Sequence, residues 1–136
     1  MKALLIATLF LVPWAMPAHA FTAQNRMTVI GTNSTDFLVA FDFVPNETDY
    51  LCAAGDFLIR GLGLPSKTRF FRASPPPRKQ GKGILFTTDP ARKVKMGLFT
   101  SFSAEPGDGG ISAGVAVASY CTTVPLFPFE LMRTEP

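Results

Sequence analysis

The sequence predicts an α+β domain, one helix packed on an antiparallel sheet of about five or six strands and closed by a single disulfide. Three observations predict it. Apolar residues recur at period two in several short segments separated by proline- and glycine-rich stops. One segment, 49–60, instead carries its apolar residues at helical spacing. The chain has only two cysteines, Cys52 in that helical segment and Cys121 at the end of the last period-two run.

The first strand pair is expected between Arg26 and Phe43. Met27, Val29 and Ile30 precede the turn signal Gly31-Thr32-Asn33-Ser34, and Phe37, Val39, Phe41 and Phe43 follow it on alternate positions. Pro45-Asn46 ends the second strand. Thr48 reads as a helix N-cap, with Asp49 in the first turn where a negative charge suits the helix dipole. The helix is expected to run to Arg60 and stop at Gly61 and Gly63, with Leu51, Ala54, Leu58 and Leu62 on its apolar face and Asp49, Asp56 and Arg60 opposite.

Lys67 to Ala73 reads as the next strand. The following Ser74-Pro75-Pro76-Pro77 cannot continue it, because proline lacks the amide donor. Arg78 to Gly83 is a polar loop, Ile84 to Thr88 a short strand, and Asp89-Pro90 its stop. Val94, Met96, Leu98 and Phe102, then Ile111, Ala113, Val115, Val117 and Cys121, predict a hairpin around the turn at Glu105 to Gly110. On this reading the disulfide staples the helix to the last strand. The tail from Thr122, with Leu126, Phe127 and Phe129, is apolar enough to pack on the domain.

The N-terminus has the order of an export signal: Lys2, an apolar run from Ala3 to Val12, Pro13 and Pro17, then Ala18-His19-Ala20. A membrane-spanning helix needs about 20 consecutive apolar residues, and the prolines interrupt this one first. Residues 1–20 are therefore expected to be a cleaved signal peptide, leaving 21–136 as one domain in the periplasm or outside the cell, with no integral membrane segment. An oxidising destination suits a Cys52–Cys121 bond, and no CxxC motif or neighbouring histidine argues for reactive thiols.

His19 is the sole histidine and lies within the expected signal. Residues 21–136 therefore cannot supply Ser-His or Cys-His nucleophile pairs, histidine acid–base chemistry or the common zinc sites. No cofactor or metal is called for by any motif. The Asp-Gly-Gly turn at Asp108 lacks the ligand spacing of a known calcium loop.

Charge is distributed unevenly. From Arg60 to Lys95 there are ten basic residues against the single acid Asp89, whereas the rest of 21–136 has two basic residues against nine acids. Arg78, Lys79 and Lys82 in the loop after the prolines, with Arg92 and Lys93 in the next loop, are the candidate anion-binding residues. The partner classes they suit are an anionic envelope component or an acidic protein surface; no nucleic-acid module is visible. The bland reading is a solvated loop pair partly neutralised by acids elsewhere.

The favoured function is thus a non-catalytic interaction or accessory protein. One alternative is a small hydrolase using two carboxylates among Asp36, Asp42, Asp49, Asp56, Asp89 and Asp108, although aspartates near turns and caps ordinarily have structural work. Another is a carrier holding an apolar ligand between helix and sheet. Asn33-Ser34-Thr35 and Asn46-Glu47-Thr48 match the short glycosylation pattern, but turn and cap roles explain them as well. The triple proline resembles a polyproline ligand, with a stiff loop as the plainer reading.

Overall fold

The computed structural model describes residues 20–42, 46–95 and 109–121. Strands β1 (Ala20–Thr22) and β2 (Thr28–Gly31) form an antiparallel hairpin with Phe21 opposite Val29. Its loop, Gln24-Asn25-Arg26, closes through Ala23 N–H donating to Met27 O at 2.9 Å, and Arg26 takes the left-handed conformation at φ 69°. A three-residue hairpin loop commonly has its last residue in that region. β1 lies outside the strands expected from the sequence.

β3 (Asp36–Val39) returns antiparallel to β2 after a turn organised by Asn33, whose Oδ1 accepts from the N–H groups of Thr35 (2.9 Å) and Asp36 (2.8 Å). Among the described residues three more strands join the sheet: β4 (Arg69–Arg72), β5 (Ile84–Thr87) and β6 (Ile111–Ser112). The order is β1-β2-β3-β5-β4-β6, and all pairs are antiparallel. Register sets the core. Val29 stands opposite Val39, Phe37 opposite Phe86 and Val39 opposite Ile84, so one face of the sheet is apolar through three strands. Phe86 lies 5.9 Å from Phe37 and 5.5 Å, edge-on, from Phe70 between ring centroids. Such pairs add about 0.5–1.5 kcal/mol each beyond the area they bury.

Helix α1 (Glu47–Asp56) lies on this face and continues as a π-helical turn, Phe57–Gly61, that places the Phe57 ring 5.1 Å from Phe37. Every residue from Tyr50 to Leu58 is buried. A helix covered all round needs a second layer, supplied by α2 (Ala113–Tyr120). The helices meet through small residues: a Cβ on Gly55 would stand 2.8 Å from Ala113 O and 2.9 Å from Ala116 Cβ, an approach that only glycine permits. Cys52 and Cys121 are bonded with their Cα atoms 4.9 Å apart.

The α+β class, the antiparallel sheet and the disulfide agree with expectation, but the C-terminal segment does not. Residues 113–120 are helical, so the disulfide joins α1 to the end of α2 rather than to a strand. The period-two reading turned Val115 inward; in the structure it is 52% exposed, while Ala113 and Ala116, three apart, are buried. Ser112 caps the helix, its hydroxyl accepting from Val115 N–H at 3.3 Å, and the N–H groups of Ala113 and Gly114 donate to the carbonyls of Thr68 and Ser66. Alanine is the best helix former, and these small side chains permit the approach to Gly55.

α1 likewise begins earlier than Thr48, at an Asn46 cap. Glu47 in its first turn is held by Arg72 and by the N–H of Arg78. Asp56, expected on the outer face, is buried because Gln24 N–H and Arg60 both donate to it. The expected signal peptide through His19, most of the strand from Val94 to Phe102, the Asp108 turn residue and the tail from Thr122 lie outside the described residues.

Candidate functional site

The loop from Ser74 to Gly83 is closed at its base by sheet-like bonds. Leu85 O accepts from Ala73 N–H at 2.8 Å and Ser74 N–H at 3.2 Å, while Leu85 N–H donates to Ser74 Oγ at 3.1 Å. Gly83 brings the loop back to β5 against Val39 O, where a Cβ would stand only 2.1 Å away. Within the triple proline Pro76 is buried, so the stretch does not present all its rings to a partner.

Arg78 organises the tip. Its guanidinium lies 5.2 Å from the ring centroids of both Phe41 and Tyr50. Nη1 donates to Lys82 O at 3.0 Å and to Lys79 O at 3.4 Å, and Lys82 N–H donates to Lys79 O at 3.0 Å. The side chain therefore fills the curve of its own loop, and Lys79, Gln80, Gly81 and Lys82 are exposed around it.

Glu47 ties this loop to the helix. Oε1 accepts from the N–H of Arg78 at 3.2 Å and Oε2 from Arg72 Nη1 at 3.1 Å; Arg72 Nε donates to Ser74 O at 2.9 Å. The Arg72 side chain is 1% exposed. Glu47 is the less buried partner, at 21% side-chain exposure, so the pair stabilises mainly by keeping the deep Arg72 charge partnered.

Arg92 and Lys93 lie beyond the other end of β5. The four residues of β5 separate the two loops by about 13 Å along the strand, at about 3.3 Å per residue. Asp89 Oδ1 accepts from Ala91 N–H at 2.9 Å and starts the short 3₁₀ turn Pro90–Arg92. Arg92 Nη2 then reaches Asp36 Oδ2 at 2.7 Å. Lys93 Nζ lies 5.7 Å from the Phe71 ring centroid. Of the five candidates, Arg78, Lys79 and Lys82 thus form one local group, and Arg92 is held by a buried acid.

Among the described residues two aspartates, Asp36 and Asp56, are buried, and both are occupied. The Thr87 hydroxyl holds Asp36 below its ordinary value of 3.8 despite burial, assisted by Asn33, Thr35 and Arg92. Asp56 accepts from Gln24 N–H at 2.8 Å and from two nitrogens of Arg60, raising the pKa of that arginine further. Carboxylates locked by arginine and fixed donors suit structure better than proton transfer. Asn33, of the first glycosylation pattern, also donates through Nδ2 to Asp36 Oδ2 at 3.0 Å. Among the described residues no three acidic, histidine or cysteine side chains gather to hold a metal. No helix among them is long and apolar enough to cross a membrane.

The clamp made by Arg78, Glu47 and Tyr50 is absent from the sequence reading. A faint signal exists: an acid in the first turn of a helix attracts positive partners, but nothing in one dimension says which of ten basic residues answers it. Comparisons with protein-family models, curated proteins and solved structures find no match for this chain.

Proposed function

We propose that this chain is an exported, non-catalytic interaction protein whose basic loop, tipped by Lys79 and Lys82, engages an anionic surface outside the cytosol. The observation that carries the reading is the division of labour within the loop: Arg78 is turned inward as a clamp, while Lys79 and Lys82 are exposed. A loop shaped before binding loses less conformational entropy on contact, so two cations count for more there than on a free tail. Arg92 and Lys93 contribute to the long-range field rather than to direct contact.

The test is binding of the oxidised protein to anionic phospholipid vesicles, lipopolysaccharide micelles and polyglutamate, each at several salt concentrations. Salt-sensitive binding to one of these, lost in Lys79→Ser/Lys82→Ser and retained in Arg92→Ser, supports the proposal and identifies the anion class. Equal binding by the double variant, or no binding to any probe, removes it.

A further inference from the structure

Ala20 and Phe21, the two residues of the expected processing bond, lie within the sheet. Ala20 pairs with Ile30, Phe21 with Val29 and Thr22 with Thr28, so the Ala20–Phe21 peptide bond is inside β1. The Phe21 ring is held from two sides, 5.6 Å from the Phe57 ring and 5.3 Å from the Arg60 guanidinium. Gly61 closes over it, since a Cβ there would approach Phe21 Cδ2 to 3.1 Å. A processing peptidase binds its substrate in extended form and needs the residues flanking the bond free to enter its cleft. Here the residue after the bond has its side chain packed and its backbone paired.

From this geometry, and resting on the export reading above, we infer that Ala20–Phe21 is a processing bond sequestered by the fold, so that cleavage must precede the docking of β1 on β2. Phe21 then has two successive roles. In the unfolded precursor it follows the scissile bond; in the folded product it is the N-terminal residue and anchors the edge of the sheet. Hydrolysis adds water across the Ala20–Phe21 amide, leaving a carboxylate on Ala20 and an ammonium on Phe21. That ammonium retains the donor capacity of the amide it replaces, so strand pairing from Phe21 onward survives the cut.

The experiment uses the full-length precursor and a signal peptidase in detergent micelles, with cleavage followed by intact mass. One sample is oxidised and folded; the other is reduced and unfolded, then diluted from urea directly into enzyme. The unfolded precursor is expected to yield a product beginning at Phe21. The folded precursor is cleaved slower by about tenfold or more, because it reacts only through its locally opened population. A precursor with a short Gly-Ser linker between Ala20 and Phe21 moves the bond off β1, and its folded form is cleaved as fast as its unfolded form. Equal cleavage of folded and unfolded native precursor overturns the sequestration while leaving export intact. Absence of cleavage in every sample overturns the export reading and the inference with it.

Discussion

The guanidinium of Arg78 lies 5.2 Å from the ring of Tyr50, a fully buried residue of α1, so the first cation of the basic loop is part of the domain's packing. Arg78→Ala is expected to lower stability by about 1–2 kcal/mol, from lost ring contacts and hydrogen bonds. Amide exchange at 79–82 should accelerate. Lys79→Ser/Lys82→Ser should stay within about 0.5 kcal/mol of the parent, as exposed substitutions do. Urea unfolding together with hydrogen exchange separates the two classes; equal effects would remove the distinction between clamp and contact residues.

Gly55→Ala sets two effects against each other. Helix propensity alone favours alanine by about 1 kcal/mol. The new methyl, however, meets the Ala113 carbonyl, a backbone atom at a helix start that cannot move alone. The steric effect is expected to win with a net loss of about 1–3 kcal/mol, read as a lower urea midpoint. A raised midpoint would show that α2 shifts freely.

Replacing both cysteines by alanine is expected to cost about 4 kcal/mol on the chain-entropy account of a loop this long. Far-UV circular dichroism should also lose helix signal before global unfolding. α2 has only eight residues, too few to persist without its partner.

Asp36 and Asp49 act in opposite senses on acid stability. Asp36 is lowered, so its stabilising contribution is present above 3.8 and is lost as pH falls through its native value. Asp36→Asn should flatten the acid side of the stability profile. Asp49 is raised by desolvation, so in the folded state it binds its proton more readily, and it opposes folding as pH rises through that raised value. Asp49→Asn should therefore raise stability at neutral pH relative to pH 3. Chemical denaturation across pH 2–7 checks both signs.

The legible parts of the fold were those set by local pattern. Phe37 and Val39 alternate on a strand, Leu51, Ala54 and Leu58 repeat on a helix, and two cysteines admit one internal bond. The strand expectation holds at Ile111–Ser112 but not at Ala113–Tyr120, where alternate small and branched residues satisfy a strand pattern while the deciding fact, the close approach to Gly55, involves a residue almost sixty positions away. Ser112 followed by an alanine-rich stretch was the available local signal. At the candidate site, the clustering of Arg78, Lys79 and Lys82 follows from their nearness in sequence. The capture of Arg92 by Asp36 and the inward turn of Arg78 depend on partners brought together only by the sheet and α1.

The bond between Cys52 and Cys121 has a consequence for maturation. Because the chain holds only these two thiols, its internal pairing has a single outcome. An oxidant is sufficient, and reshuffling of wrong internal pairs by an isomerase has no work to do. Closure also waits for Cys121, by which point the six strands among the described residues have been synthesised. The bond therefore closes only after these strands have left synthesis, and any wrong pairing must join one of these sulfurs to a thiol outside the chain.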